Sequence, residues 1–124
     1  MENNYIYNAG WDGINIDHGE DILIKDNYIS KSSQHGIKIW NSEGFSDLYK
    51  VSNYYIIEGN TIVDSSDNVI NIETGNAFTI SGNCFEKNVR NLNSVVSESI
   101  DFKEDNITSD CQRFTSDEFF LTTP

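Results

Sequence analysis

The chain has 124 residues, enough for one domain with a modest core, and it carries 20 acidic against 8 basic residues, a net charge of -12 at pH 7. This charge argues against nucleic acid as a partner, because phosphate binding relies on Lys and Arg, and it also disfavours an anionic membrane. An acidic polymer would need a cation such as Ca²⁺ between the like charges. No segment approaches the roughly 20 apolar residues of a membrane-spanning helix, and the opening residues lack the basic and apolar regions of a signal peptide.

The first predicted element is an alternating apolar segment built around an asparagine, and it recurs along the chain. Full copies occupy residues 22–29, 55–62, 78–85 and 100–107, and a weaker copy occupies residues 2–6. The reference residues Asn4, Asn27, Asn60 and Asn83 follow one another at 23, 33 and 23 residues; Asp105 stands in 22 residues later, with Ile107 kept facing inward. A period of about 20 to 50 residues indicates a solenoid or a propeller, and apolar alternation at period two is strand behaviour.

A second alternating run begins nine residues after three of these asparagines, at residues 13–16, 36–39 and 69–72. Stacking one turn of chain on the next would pair each strand with its copy about 4.8 Å away and line the isoleucines up in inward columns. The asparagines would then form a ladder of hydrogen-bonded amides, as in other in-register stacks.

This pattern resembles the right-handed parallel β-helix of the pectate-lyase-like superfamily, over residues 3–107. Leucine-rich repeats have a similar period, but their leucines recur at mixed spacings and each unit holds a helix or 3₁₀ segment. The predicted fold class is therefore all-β, a right-handed parallel β-helix of about five coils, each of 22–23 residues, in one domain over residues 1–107.

Taken in order, the first coil spans residues 4–26, the second 27–59 and the third 60–82. The second carries a ten-residue excess within residues 41–54, which we expect to project over one face, often the binding face of a solenoid. The fourth coil is expected to degrade after Asn88, because residues 90–97 lack the Gly-Ile-x-Ile pattern. Residues 108–124 are expected to form an irregular tail or an end cap.

Both ends of the predicted solenoid would expose unpaired strand edges. Flanking coils of a longer chain, of which this sequence would be a piece, or a partner copy in an oligomer would cover them, and the first explanation is favoured. Cys84 and Cys111 lie 27 residues apart, off the repeat, so we expect them not to stack, and free thiols are favoured over a disulfide.

Outward side chains near the second run superpose at fixed offsets from the reference asparagines. The three predicted columns are Asp12, His35 and Asn68; Asn15, Lys38 and Asn71; and Asp17, Trp40 and Glu73. We predict catalytic roles for Asp12, Asp17, His35, Lys38 and Glu73, substrate-binding roles for Asn15, Trp40 and Asn71, and no metal-ligand set. The excess segment of the second coil would wall one side of this face, since it leaves directly after Trp40.

Trp40 is the most informative residue of this face. An outward tryptophan on a strand suits a sugar ring, which has an apolar face and a polar rim. Packing under Phe45 or Tyr49 of the excess segment is the alternative. Trp11 lies in a turn just before the run at residues 13–16, which is the copy of the Trp40 strand on the preceding coil. For Trp11, packing is favoured over binding.

Asp17 and Glu73 flank Trp40 on the coils before and after it, two strand steps or about 9.6 Å apart. Inverting glycoside hydrolases hold their two carboxyl groups about 6.5–9.5 Å apart to admit a water molecule. Asp12 and His35, one step apart, would suit a base and its orienting group. Surface ion pairs and solvated acidic side chains are the competing interpretation for both pairs.

Two short elements resemble enzymes of the superfamily. Asp12-Gly13-Ile14 resembles the Asp-Gly-hydrophobic element of polygalacturonase-like hydrolases, but Gln34-His35 stands where those enzymes place a second aspartate. Ile16-Asp17-His18 is similar to an element of pectate lyases, which use an arginine base and carboxylate-bound Ca²⁺. Arg90 and Arg113 are not expected on this face, which argues against a pectate-lyase mechanism. The resemblance to β-helix lyases that use a lysine base leaves Lys38 as a candidate base.

The resemblance implies a carbohydrate-active β-helix module that binds a polysaccharide along this face and cleaves it as a glycoside hydrolase or lyase. It also favours an extracellular or cell-surface location. The rival hypothesis is a non-catalytic scaffold, such as a segment of an adhesin or a phage fibre. Fold does not fix function, and Ca²⁺ is the one cofactor that an acidic substrate or a lyase mechanism would require.

Overall fold

The computed structural model describes residues 1–17, 19–40, 53–73, 76–86, 90–92, 100–107 and 111, and these residues hold twelve short strands and no helix. The strands are β1 Tyr5–Tyr7, β2 Ile14–Asp17, β3 Glu20–Lys25, β4 Tyr28–Ser30, β5 Ile37–Trp40, β6 Asn53–Glu58, β7 Thr61–Val63, β8 Ile70–Ile72, β9 Asn76–Ser81, β10 Cys84–Phe85, β11 Arg90–Leu92 and β12 Ile100–Phe102. Of the excess segment predicted within residues 41–54, residues 41–52 lie outside the described part of the chain.

The strands form three parallel sheets, in each of which a strand pairs with the strand three places further along the chain. The first sheet has the order β1-β4-β7-β10, the second β2-β5-β8-β11 and the third β3-β6-β9-β12. Each coil therefore contributes one strand to every sheet, and the chain winds around a common axis. This topology confirms the predicted all-β parallel solenoid.

The core is made of inward apolar columns, because alternate residues of each strand face the axis. Ile14 pairs in register with Ile37 and Ile37 with Ile70, and all three are buried. In the third sheet the rings of Tyr55 and Phe78 stack with centroids 4.5 Å apart. The predicted isoleucine columns are therefore confirmed.

The asparagine ladder lies at the turn between the third and first sheets. Asn27 Nδ2 donates to Asn60 Oδ1, and Asn60 Nδ2 donates to Asn83 Oδ1, both at 2.9 Å. Each accepting oxygen also takes the backbone N–H of the asparagine one coil earlier, at 2.9 and 2.8 Å. Because these three side chains are at most 1% exposed, the ladder satisfies polar groups that water does not reach.

The turn before each ladder asparagine requires a left-handed backbone. Asp26 has φ 55°, Gly59 φ 69° and Gly82 φ 63°. The atom that a Cβ on Gly59 would meet first is Asp26 Oδ1, at the end of a side chain that can rotate, so the positive φ is the reason that glycine is favoured there. The same turn holds the backbone of one coil against the next, with Gly59 N donating to Ser81 O at 3.1 Å.

The predicted fourth ladder residue is wrong by one position. Asn106, not Asp105, accepts from Asn83 Nδ2 at 2.9 Å and from Asn83 N at 3.1 Å. Asp105 Oδ1 instead accepts the backbone N–H of Gly82. The turn after β12 holds one more residue than the earlier copies, which moves Ile107 out of the inward column; it pairs with Cys84 and is 57% exposed.

Two further expectations are corrected. The second sheet continues past Asn88, since β11 pairs with β8 in register, Arg90 opposite Ile70 and Leu92 opposite Ile72. Backbone pairing needs no Gly-Ile-x-Ile pattern, which is why its absence was misleading.

The prediction of free thiols is also wrong, because Cys84 and Cys111 form a disulfide with Cα atoms 5.7 Å apart. Cys111 lies in a small buried cluster with Tyr28 and Val63, separate from the main core. It therefore reaches Cys84 from beyond the last described strand, where the repeat spacing places no constraint.

Candidate functional site

The candidate site is the outward face of β2, β5 and β8 in the second sheet, together with the turns that precede these strands. Asn15 pairs with Lys38 and Lys38 with Asn71, while Asp17 pairs with Trp40. Glu73 follows β8 directly, and its N–H donates to Ile39 O at 2.9 Å. We call this surface the Trp40 face; its members are Asp12, Asn15, Asp17, His35, Lys38, Trp40, Asp67, Asn71 and Glu73.

Trp40 is held at its edge by a hydrogen-bonded chain that crosses between coils. Its indole Nε1–H donates to Asn15 Oδ1 at 2.7 Å, and Asn15 Nδ2 donates to Asp12 Oδ2 at 2.8 Å. The other carboxylate oxygen of Asp12 accepts the backbone N–H of His35 at 3.1 Å. Asp12 thus contacts the backbone of His35, and through Asn15 it helps to fix the direction of the indole.

His35 is 8% exposed, and its ring is committed to the protein. The backbone N–H of Asn68 donates to Nδ1 at 3.2 Å, and a neutral imidazole has only one nitrogen that can accept. Nδ1 is therefore an accepting nitrogen, and Nε2 lies 3.9 Å from Asp67 Oδ2. Asn71 Nδ2, which has two hydrogens, lies 3.3 Å from Nε2 and donates to Glu73 Oε2 at 2.8 Å.

Lys38 lies between an aromatic ring and a carboxylate. Its Nζ is 4.8 Å from the centroid of the Trp40 ring, within reach of a cation–π interaction. The same Nζ is 3.8 Å from Glu73 Oε2, and the Lys38 side chain is only 22% exposed. This ammonium group is therefore engaged on two sides, and one face of the indole is occupied by it.

Asp17 ends β2 as an exposed residue in register with Trp40. With Glu73 on the far side, the two carboxylates lie on the coils before and after the indole, as the repeat predicts. The packing of Trp40 under Phe45 or Tyr49 falls outside the described residues. His18 and Arg113 fall outside them too, and so does the side chain of Arg90.

Trp11 was expected to pack, and this is wrong: it is 70% exposed. Its carbonyl accepts from Gln34 N at 2.9 Å, which places it in the turn next to that of His35. The neighbouring Gly10 has no atom within 4 Å of where a Cβ would stand, so the surroundings are open. Periodicity gives no information about a turn residue, although Gly10 next to it is a sign of an open loop.

The described ranges contain no group of three or more His, Cys, Asp or Glu residues placed to hold a metal ion. They also contain no helix of the length and hydrophobicity that a membrane crossing requires.

Residues 1–116 match the sequence model of the family described as the right-handed β-helix region, and the chain belongs to this family. No curated protein and no solved structure matches the chain. The β-helix domain fits a superfamily that includes carbohydrate-active enzymes.

Proposed function

We propose that this protein binds a polysaccharide on the Trp40 face, with the indole of Trp40 as the platform for one sugar ring. The observation that carries the proposal is an outward tryptophan fixed at its edge by Asn15 and paired in register with Asp17, with Glu73 directly after β8 on the next coil. An aromatic ring stacks on the apolar face of a sugar, and carboxylates and amides accept and donate hydrogen bonds at its polar rim.

The fixed orientation of the indole favours binding for a second reason. Its Nε1–H bond to Asn15 and its contact with Lys38 Nζ restrict the side chain before any ligand arrives. A pre-organised platform loses less side-chain freedom on binding, so more of the stacking energy appears as affinity. Trp11, exposed in the turn before Asp12, provides a second aromatic surface before the N-terminal end of β2, whereas Trp40 lies at the C-terminal end of β5.

Cleavage is the catalytic extension of this proposal. Asp17 and Glu73, about 9.6 Å apart along the stack, would act as the acid and base of an inverting hydrolase. Lys38 would serve a lyase only after giving up its contacts with Glu73 and Trp40. His35 is poorly placed as a base, because Nδ1 already accepts a backbone N–H.

A non-catalytic scaffold is the second candidate, and the hydrogen bonding within the face favours it over an enzyme. Asp12, Asn15, Asn71 and Glu73 are bonded to other side chains of the face. A surface whose polar groups satisfy one another is stable without a ligand.

The test is binding of the whole chain to a glycan panel, with Trp40→Ala as the variant and Tyr54→Ala as the control. Tyr54 is an exposed aromatic residue (61%) on the third sheet, away from the proposed platform. We expect Trp40→Ala to weaken binding about 10-fold, the loss of roughly 1.4 kcal/mol of stacking, and Tyr54→Ala to leave affinity within twofold.

Release of reducing ends without unsaturated ends by the parent chain, lost in Asp17→Asn, would establish hydrolysis. Release of reducing ends together with an equal number of unsaturated ends would establish elimination. If the two aromatic variants lose affinity equally, the platform assignment is wrong. If the parent chain binds no glycan, the scaffold is the better account.

A further inference from the structure

We infer that the Trp40 face selects polysaccharide chains without carboxylate groups, an inference that rests on the proposed function and narrows its substrate class. The observation is the balance of charge on the face. Four carboxylates, those of Asp12, Asp17, Asp67 and Glu73, accompany one ammonium group, that of Lys38. Among the described residues, the surface around the indole therefore has an excess of negative charge that repels an anionic sugar.

Lys38, the one lysine or arginine among the described members of the face, is not available to offset this repulsion. Lys38 Nζ is 3.8 Å from Glu73 Oε2 and 4.8 Å from the ring centre of Trp40, and the side chain is 22% exposed. A uronic acid carboxylate seated on the indole would have to displace Glu73 from this ammonium group. The displaced carboxylate would then lie beside the ligand with its charge uncompensated.

The His35 ring is not open to a ligand on this face. Its Nδ1 accepts the backbone N–H of Asn68 at 3.2 Å. The ring is 8% exposed and lies behind Asn71, which is 3% exposed. A carboxylated sugar therefore meets no free positive group on the described part of the face.

An uncharged sugar avoids these costs and uses the same groups. Its hydroxyl hydrogens can be donated to the carboxylates of Asp17 and Glu73, which are strong acceptors. Its apolar face can stack on the half-buried indole of Trp40. Neutral hexosyl or pentosyl chains are thus the substrate class that the charge pattern fits.

The experiment compares polymers that share a backbone and differ in carboxylation. Three pairs are suitable: methyl-esterified and de-esterified homogalacturonan, hydroxyethyl and carboxymethyl cellulose, and carboxyl-reduced and native alginate. Each is tested with the whole chain in EDTA and in CaCl₂, at low salt. We expect the uncharged member of any bound pair to bind at least 10-fold more tightly.

Two further measurements tie the preference to this face. In 1 M salt, where the screening length is about 3 Å, the preference should fall to within about threefold. Glu73→Gln removes one carboxylate and releases Lys38, so it should reduce the preference at least threefold. Glu58→Gln is the matched control, because Glu58 makes a lysine pair of equal length, 3.8 Å to Lys25, on the third sheet; it should leave the preference within twofold.

The outcomes separate this inference from the proposed function. Binding of a carboxylated polymer as tightly as its uncharged partner, in EDTA or in CaCl₂, overturns the inference and leaves polysaccharide binding standing. An equal change in preference from Glu73→Gln and Glu58→Gln overturns it as well, since net charge alone would then be responsible. Failure of all six polymers and of the wider glycan panel overturns the proposed function and this inference with it.

Discussion

The asparagine ladder and the Trp40 face are both stacks of polar side chains in register, yet they differ in composition and burial. The ladder repeats one residue type, and Asn27, Asn60 and Asn83 are at most 1% exposed. The face places Asn15, Lys38 and Asn71 in one column and two carboxylates beside an indole in another. The same winding of the chain generates both.

The difference shows how a polar column in a solenoid can be interpreted. When every coil supplies the same amide, each side chain bonds to its own copy and the column serves the fold. When neighbouring coils supply unlike groups, bonds form between different chemistries, as from Trp40 to Asn15 or from Lys38 to Glu73. The fold does not require such a column, so it is the better place to look for function.

The largest difference in stability between the two columns is expected when the middle asparagine of the ladder is removed. Asn60→Ala removes the acceptor of the Asn27 backbone N–H and the donor to the Ile24 carbonyl. It also removes one of the two acceptors of the Asn27 amide, the other being Met1 O. At 1–3 kcal/mol for each buried unsatisfied group, we expect a loss of about 3–5 kcal/mol in the free energy of unfolding. Urea denaturation would measure it.

Asn15→Ala is the matched change at the exposed end of the Asn15–Lys38–Asn71 column, and it should cost about 1 kcal/mol or less. Asn106→Ala, at the partly exposed end of the ladder, should fall between the two and remains informative if Asn60→Ala does not fold. Equal losses at positions 15 and 60 would mean that burial does not distinguish the columns.

A contribution outside both columns comes from the disulfide. Replacing Cys84 and Cys111 together by Ser opens a loop of 27 residues and should lower the free energy of unfolding by about 3–4 kcal/mol in the chain-entropy account. The comparison is made by denaturing the parent and the double variant with and without reductant. Reductant should destabilise the parent alone; a parent that ignores it under denaturing conditions would contradict the pairing.

A smaller loss of stability is expected from a substitution at Gly36, the residue before β5 of the second sheet. A Cβ at Gly36 would fall 2.4 Å from Ile62 Cγ2 and 2.5 Å from Val69 O, just before the strand that carries Trp40. Gly36→Ala should therefore cost about 2 kcal/mol, because the close neighbours include rigid backbone. Gly10→Ala, with open space around it, serves as the control and should change the unfolding midpoint little. The prediction fails if the two variants unfold alike.

Much of the fold was predictable from the sequence because the repeat supplies its own register. Asn27, Asn60 and Asn83 and the isoleucine pairs fell where period-two alternation and constant spacing place them. Asp105 was mistaken for the ladder residue because it precedes an equally suitable asparagine, and an added turn residue leaves the strand pattern unchanged. Cys111 lies beyond the last repeat, so spacing could not place it against Tyr28 and Val63.

The candidate site was predictable in position but not in bonding. Spacing brings Trp40 between Asp17 and Glu73, because backbone register alone decides that. It does not say that the indole N–H turns to Asn15, that the Asp12 carboxylate takes a backbone N–H, or that His35 commits Nδ1 to Asn68. These hydrogen bonds depend on side-chain rotamers. Several donors and acceptors of similar strength lie within a few ångströms of each side chain and compete for it.

The spacing of 23 residues from Asn60 to Asn83, one regular repeat, has a consequence for engineering the molecule. Residues 60–82 form a unit whose upper and lower amides match, so a duplicate of this unit spliced in after position 82 would meet compatible neighbours on both sides. Nearest-neighbour contacts dominate the energetics of such arrays. The molecule could thus be lengthened by one coil at a time, with Asn71 and Glu73 repeated on the added surface.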